Sequence, residues 1–320
     1  MQYIVLDMEW NQAWPGSHAA MRYGDKLRGE IIQIGAVRVT DRQIVGDEFQ
    51  VLIKPKFIRR LNKRVSALTG IKEAQLQEEG IPFPEAMEQF REWCGEDCVF
   101  LTWGFDDINM LKENMELHGL EHGWVEHWYN AQMMFNKQTD GGTSQKALKT
   151  AMEMVGVEAS RPAHDALGDA YHTAIVCTRL DLPRGMAEYG KAMELHENGF
   201  HGAELPGCLQ RRVFHGFQSK AEALETMEQK ENHCPVCEKP MEYGVWKSQQ
   251  SRRYMTKASC PEHGTFFVRV RLVEEEGGIK ASRLIYEGTS PAAQALVKPT
   301  EKKEERAKVR KRRRRRKPEV

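Results

Sequence analysis

The chain has 320 residues, 40% of them apolar, enough for one full core and a second small module. No run reaches the ~18–20 apolar residues of a membrane span, and the N-terminus meets acids by residue 7 with no basic stretch before them, which reads as no signal peptide and a cytoplasmic protein. The formal net charge is only +1, but residues 302–317 hold twelve Lys/Arg against Glu304 and Glu305, a surplus of ten that leaves −9 on the rest of the chain.

The first predicted element is Tyr3-Ile4-Val5-Leu6-Asp7-Met8-Glu9-Trp10. Side chains alternate along a strand, so Asp7 and Glu9 point to one face. Two carboxylates at the end of an apolar strand repel each other unless a cation sits between them, and hard divalent ions such as magnesium take oxygen ligands of this kind. Residues 11–29 form a loop with Pro15, Gly16, Gly24 and Gly29. Residues 30–39 and 44–53 read as two more strands joined by a hairpin turn at 41–43, and Pro55 ends the third. Residues 56–80 read as a loop with short helical turns. Pro84 opens a helix with Phe83, Met87, Phe90 and Trp93 on one side. Residues 98–103 are a short strand broken by Gly104, after which Asp106 and Asp107 lead into a helix. Asp106 is explained as a helix cap, whereas Asp107 lies at a strand-to-helix junction of the kind where α/β sheets place their sites. Residues 124–135 are a strand or short helix. Residues 144–155 are an amphipathic helix stopped by Gly156, and Ala163-His164-Asp165-Ala166-Leu167-Gly168-Asp169-Ala170 opens a last helix that runs to Leu180.

Each of these pieces alone has an ordinary explanation. Their order does not. Asp-x-Glu on a first strand, an Asp after Thr102-Trp103-Gly104, and His-x4-Asp opening a late helix resemble the DnaQ-like (DEDDh) family of 3′–5′ exonucleases. Glu30-Ile31-Ile32-Gln33-Ile34-Gly35-Ala36-Val37 and the helix from Gln145 to Gly156 resemble that family's second strand and late helix. Thr102-Trp103-Gly104 and Leu68-Thr69-Gly70-Ile71 bring the chain nearest to its KapD-like and RNA-trimming members. The resemblance covers about residues 2–182. It implies an α/β fold, a ribonuclease-H-like mixed sheet flanked by helices, and a site that binds two Mg2+ or Mn2+ ions. Asp7 would bridge them, Glu9 and Asp169 would hold the ion that activates water, and Asp107 would support the other. Two such ions lie about 3.5–4 Å apart and stabilise both the attacking and the leaving oxygen of a phosphodiester. His164 would take the proton from the attacking water, for which imidazole is suited near neutrality. Asp107 is preferred over Asp106 by its distance from Trp103, which matches the family pattern. Asp165 is unusual for the family and would act on His164 as a neighbouring anion. Met8, Trp10, Trp103, Leu68 and Ile71 are candidate substrate contacts; core packing is the alternative for Trp103, and an ordinary turn for residues 68–71.

The second half reads differently. Residues 183–231 are a helical connector by composition. Cys234-Pro235-Val236-Cys237 and Cys260-Pro261-Glu262-His263 are two knuckles of the spacing that tetrahedral zinc takes, with His233 as a less well-spaced nitrogen. Residues 232–288 therefore read as a zinc-ribbon-like β module with one structural Zn2+. Cys94, Cys98, Cys177 and Cys208 read as isolated thiols of a reducing compartment. Lys247, Arg252, Arg253, Lys257, Arg269 and Arg271 with Tyr254, Phe266 and Phe267 suit either a nucleic-acid face or a solvated β surface. Residues 289–320 read as a disordered basic tail that tethers a phosphate backbone by counterion release.

The expectation is thus a metal-dependent 3′–5′ exonuclease on single-stranded RNA or DNA, RNA ahead of DNA, with no membrane partner. The alternatives are a DNA proofreading or repair exonuclease, a non-catalytic RNA- or ribosome-binding protein that keeps a nuclease-like fold, and a zinc-ribbon regulator with the nuclease half as scaffold. The oligomeric state is not readable.

Overall fold

A computed structural model describes residues 2–23, 27–40, 43–201, 204–249, 251–275, 277–291 and 294. The basic run at 302–317 and residues 41–42 of the expected hairpin turn lie outside the described residues; the start of the tail expected to be disordered over 289–320 is corrected, since Ser290 is 5% exposed and donates its hydroxyl to the Pro206 carbonyl at 2.7 Å. The chain forms two compact units, residues 1–193 and 194–320.

The first unit is built on a five-stranded sheet of order β3-β2-β1-β4-β5. Its strands are β1 (Gln2–Asn11), β2 (Glu30–Thr40), β3 (Gln43–Leu52), β4 (Cys98–Thr102) and β5 (Trp128–Asn130). The first three pair antiparallel, whereas β4 runs parallel to β1 and β5 parallel to β4. The helices are α1 (His18–Tyr23), α2 (Lys63–Thr69), α3 (Glu73–Glu78), α4 (Phe83–Cys94), α5 (Asp106–Leu117), α6 (Ala131–Gln138), α7 (Leu148–Met154), α8 (Ala166–Cys177), α9 (Leu182–Ala187) and α10 (Tyr189–Asn198), the last spanning the boundary between the units.

The central strand shows why the sheet is buried on both sides. Ile4, Leu6 and Met8 of β1 enter one core with Phe83, Phe90, Ile108 and Leu111 of α4 and α5. Tyr3 and Val5 enter a second core with Phe135, Ala151 and Ala170 of α6, α7 and α8. Strand alternation then carries Asp7 and Glu9 on the Tyr3/Val5 side, toward α8. The parallel pairing of β1 with β4 ends at Val5 opposite Leu101, and that of β4 with β5 at Thr102 opposite Asn130, so the acids sit beyond the C-terminal end of the parallel ladders.

The second unit is more than a ribbon. Six strands, β6 (Cys208–Phe217), β7 (Glu242–Tyr243), β8 (Lys247–Ser248), β9 (Arg253–Cys260), β10 (Gly264–Glu275) and β11 (Gly278–Glu287), make an antiparallel sheet of order β6-β11-β10-β9-β7, with β8 also on β9. This corrects the reading of 183–231 as a helical connector. β6 is the edge strand beside β11, and α11 (Lys220–Gln229) buries Ala223, Leu224 and Met227 against Val270, Leu272 and Ala281. The polar and aromatic look of 208–217 hid a strand that buries little on its own. Of the two readings of the basic and aromatic residues at 247–271, the one that used Phe266 and Phe267 as a nucleic-acid face is corrected. Phe266 and Phe267 are 4% and 6% exposed, packed on opposite faces of β10, so neither is free to stack on a base.

Candidate active site

Long-range contacts between β1, α5 and α8 assemble the acids. Asp107, 6% exposed in the first turn of α5, accepts the backbone N–H of Met8 through Oδ1 at 3.2 Å. That bond ties α5 to the strand between Asp7 and Glu9. Asp106 faces outward and pairs with Arg28 at 3.5 Å. Asp169, in the first turn of α8, accepts the N–H of His164 through Oδ2 at 2.9 Å. One carboxylate oxygen each of Glu9 and Asp169 and one ring nitrogen of His164 lie within 4.8 Å of one another.

The start of α8 is held against the sheet by a hydrogen-bond network around Asp165. Asp165 caps the helix, accepting from Gly168 N at 3.0 Å, and its other oxygen accepts from Gln33 Nε2 at 2.7 Å and Gln50 Nε2 at 3.1 Å. Gln33 Oε1 in turn accepts from Ala166 N at 3.1 Å. The carboxylate expected to act on His164 is therefore committed to the fold. Gln33 was visible in the sequence as a polar residue inside an apolar strand, but its partner, more than 130 residues away, was not. His164 adopts φ 60°, a left-handed conformation uncommon outside glycine, just before the cap. His172, one turn beyond Asp169, is buried and accepts the N–H of Ser160 at 3.0 Å through Nε2. Burial holds its imidazole below the usual range, toward the neutral form that can accept this bond.

Gly35 sets how close α8 comes. It lies opposite Asp7 in the β1/β2 register, and a Cβ there would fall 2.1 Å from Leu167 N and 2.2 Å from the Ala166 carbonyl carbon. No backbone can approach that closely over a side chain. Gly35→Ala is expected to push α8 off the sheet, separating Asp169 from Asp7. Overpacking of this kind costs about 1–3 kcal/mol, and turnover should fall at least tenfold. Thermal unfolding and a nuclease assay check this; an unchanged melting temperature with full activity would show that α8 relaxes freely.

The electrostatics are those of carboxylates that repel one another. Burial pushes the Asp7 carboxyl well above the usual carboxylate range, and Asp107, Asp169 and Glu9 push it further. Burial raises Glu9 to about 8, helped by Asp169 and Asp107. Asp107 is pushed up to about 7 by burial, against the pull of the Met8 N–H. Asp169 is raised by burial as well. The charges that weigh most on Asp7 and Glu9 are other carboxylates, which is the donor set of a divalent-cation site.

The expected substrate contacts divide. Met8 and Trp10 lie on β1 beside the acids, and Leu68 is 56% exposed on α2, which packs against β1. Trp103 donates its indole N–H to the Lys146 carbonyl at 2.9 Å and packs edge-on to Phe135 at 5.6 Å. Ile71 is corrected: it is 5% exposed in a small core with Ile32, Leu61 and Leu76, so its side chain cannot meet a substrate. The turn at Gly70 (φ 77°) points the chain inward after the exposed face of α2.

In the second unit, Cys234, Cys237, Cys260 and His263 come together. Cys237 Sγ and Cys260 Sγ are 3.7 Å apart, and His263 Nδ1 lies 3.8 Å from Cys234 Sγ and 3.7 Å from Cys260 Sγ. A tetrahedron of thiolates about 2.3 Å from zinc has edges of about 3.8 Å, so the donor set fits the ion. His233 is exposed and outside this group.

A mixed sheet flanked by helices, with carboxylates clustered at its C-terminal edge, defines the ribonuclease-H-like class. The sequence model of the exonuclease family, of RNase T type, matches residues 4–177 and spans all five site residues. The chain belongs to this family, that of the DnaQ-like 3′–5′ exonucleases. It is 24% identical over 209 residues to human ERI1 exoribonuclease 2, covering 55% of this chain and 28% of that protein. It is 22% identical over 186 residues to rat 3′-5′ exoribonuclease 1, covering 55% of this chain and 52% of the relative. The matched region thus spans about a quarter to a half of these relatives. Among solved structures, it is similar to the nuclease domain of 3′hExo, a DEDDh family member bound to rAMP, at 20% identity and a TM-score of 0.49 over 56% of this chain and 90% of that one. Among the described residues, no helix is long and apolar enough to cross a membrane.

Proposed function

We propose that the chain is a divalent-metal-dependent 3′–5′ exonuclease that removes nucleotides from single-stranded nucleic acid, RNA in preference to DNA. The observation that carries this reading is the meeting of Asp7, Glu9, Asp107 and Asp169 with His164 at one sheet edge. The RNA preference leans on the names of the relatives, which are exoribonucleases. Asp7, Glu9, Asp107 and Asp169 would hold two Mg2+ or Mn2+ ions, which when bound would neutralise the carboxylates and stabilise the attacking and leaving oxygens. His164, exposed at the rim, accepts the proton of the attacking water on a ring nitrogen. Met8 and Trp10 offer backbone to the terminal nucleotide, and Leu68 an apolar edge to its base. Cys234, Cys237, Cys260 and His263 would hold one structural Zn2+, and the tail at 302–317 would tether the phosphate backbone.

The test is digestion of matched 5′-labelled RNA and DNA oligonucleotides with magnesium and with EDTA. A ladder shortening from the 3′ end, faster on RNA and absent in EDTA, is the expected result. His164→Gln should slow it about 10²–10⁴-fold, the usual contribution of a positioned base. Oligonucleotides left intact by the wild-type protein would end the proposal.

A further inference from the structure

Residues 54–72 contain Lys54, Lys56, Arg59, Arg60, Lys63, Arg64 and Lys72 and no acid, inside a body that is otherwise net negative. All seven are exposed. Several other surface cations of the first unit are matched: Arg28 pairs with Glu113, Arg38 with Asp47, Lys112 with Glu126 and Arg161 with Glu48. None of the seven makes an ion pair with a described carboxylate. Lys54 bonds the Gln77 carbonyl and Arg59 the Lys56 carbonyl, which leave their charges unbalanced.

The position of the segment is set by the site strand. Asn11 lies two residues beyond Glu9 on β1, about 7 Å along a strand. Its Nδ2 donates to the Ile58 carbonyl at 2.8 Å and to the Arg60 carbonyl at 3.0 Å, and its Oδ1 accepts from Asn62 N at 2.9 Å. Asn62 then caps α2 through Arg64 N at 3.0 Å. Glu30, 2% exposed, accepts the backbone N–H groups of Lys56, Phe57 and Ile58. Two buried polar side chains thus fasten the backbone of 56–62 beside the carboxylates and leave its cationic side chains in solvent.

We propose that this segment, led by Arg59, Arg60, Lys63 and Arg64, is a track for the phosphates of a single strand lying 5′ of its terminal nucleotide. The proposal rests on the nuclease reading. The net-negative body around the site repels a polyanion, and a row of unpaired cations fixed next to the site offsets that repulsion. With the backbone held rigidly and only charge displayed, the track reads phosphate and not sequence.

The test uses the full chain carrying Asp7→Asn, so that nothing is cut, and 5′-labelled oligouridylates of 4 and 20 nucleotides. Binding is measured by anisotropy from 50 to 200 mM KCl, with and without Arg59→Gln, Arg60→Gln, Lys63→Gln and Arg64→Gln together. Each phosphate neutralised on a single strand contributes about 0.7 to the salt slope. The quadruple variant should therefore lose about 2–3 from the 20-mer slope. Its 20-mer affinity should fall at least tenfold at 100 mM, and much of the advantage of 20 over 4 nucleotides should disappear. Arg59→Lys, Arg60→Lys and Arg64→Lys together should retain the slope. The basic tail is present in both proteins and cancels in the difference. An unchanged slope, or equal losses for both lengths, would overturn the proposal. So would loss of polyglutamate binding with RNA binding kept, which would reassign the segment to an acidic protein. If the Asp7→Asn chain binds neither oligonucleotide, the nuclease reading falls with it; if it binds both without length dependence, only the track falls.

Discussion

Asp7→Asn is expected to lower exonuclease turnover about 1,000-fold and, in metal-free buffer, to make the first unit more stable. Metal-ion stabilisation of the reacting oxygens is worth several kcal/mol, and each ~1.4 kcal/mol is tenfold in rate. The stability change has the opposite sign because of what surrounds Asp7. Its carboxyl is raised by burial, then by Asp107, Asp169 and Glu9. Glu9 at about 8, Asp107 at about 7 and the raised Asp169 share the same causes. Folded values above the unfolded ones mean that the folded chain holds protons the unfolded chain has released. The contribution of these groups is therefore full below the unfolded range of ~4 and is lost as pH rises through ~7–8. Metal-free protein should melt lower at pH 8.5 than at pH 6, and magnesium should raise the melting temperature more at pH 8.5, where fewer protons must leave. Asparagine has no proton to hold or release, so the part of the loss at high pH that Asp7 contributes disappears, and the metal-free variant should melt a few degrees above wild type at pH 8.5, about 2–4 °C per kcal/mol. Six of the seven tryptophans (Trp10, Trp14, Trp93, Trp103, Trp124 and Trp128) lie in the first unit, so tryptophan fluorescence follows this transition. A variant that cuts normally, or that melts below wild type in EDTA at pH 8.5, would refute the arrangement.

Removal of zinc is expected to unfold one end of the second unit and leave the other. One zinc per chain should be found by elemental analysis, held with a Kd of about 50 nM or tighter, given ~10–16 kcal/mol for structural zinc in small modules. Cys234 and Cys260 belong to a core with Met241, Ala258, Phe266, Val268 and Ile285. The knuckle at 234–237 is otherwise held by few bonds, such as Glu238 N to Cys234 O at 2.9 Å and Cys234 N to Lys239 O at 2.8 Å. β7 and β8 are two residues each and depend on that anchorage. A strong chelator, or Cys260→Ser, should abolish amide protection over 232–248. β10 and β11, paired from Phe266 with Glu287 to Glu275 with Gly278 and covered by α11, should retain theirs. A chain isolated without zinc and with 232–248 already protected would show that the four ligand side chains hold no ion.

The local pattern of the sequence determined much of what can be periodic. Alternation placed Asp7 and Glu9 on one side of β1, helical spacing placed the buried face of α4, and two knuckles of equal spacing paired Cys234 and Cys237 with Cys260 and His263. These are properties of a strand, a helix and a turn, and they need no partner to be read. Tertiary structure decided what depends on residues far apart in the chain. It turned Asp107 inward to Met8 and Asp106 outward to Arg28. It brought Gly35 under Ala166 and Leu167, and Gln33 and Gln50 to Asp165. It enclosed Ile71, which the family resemblance offered to a substrate, and Phe267, which composition offered to a nucleic-acid face, and took residues 208–217 into a sheet. The physical reason is common to all of these. Periodicity says which face of an element is apolar, but which element covers that face, and how closely, is set by packing between segments that local sequence does not connect.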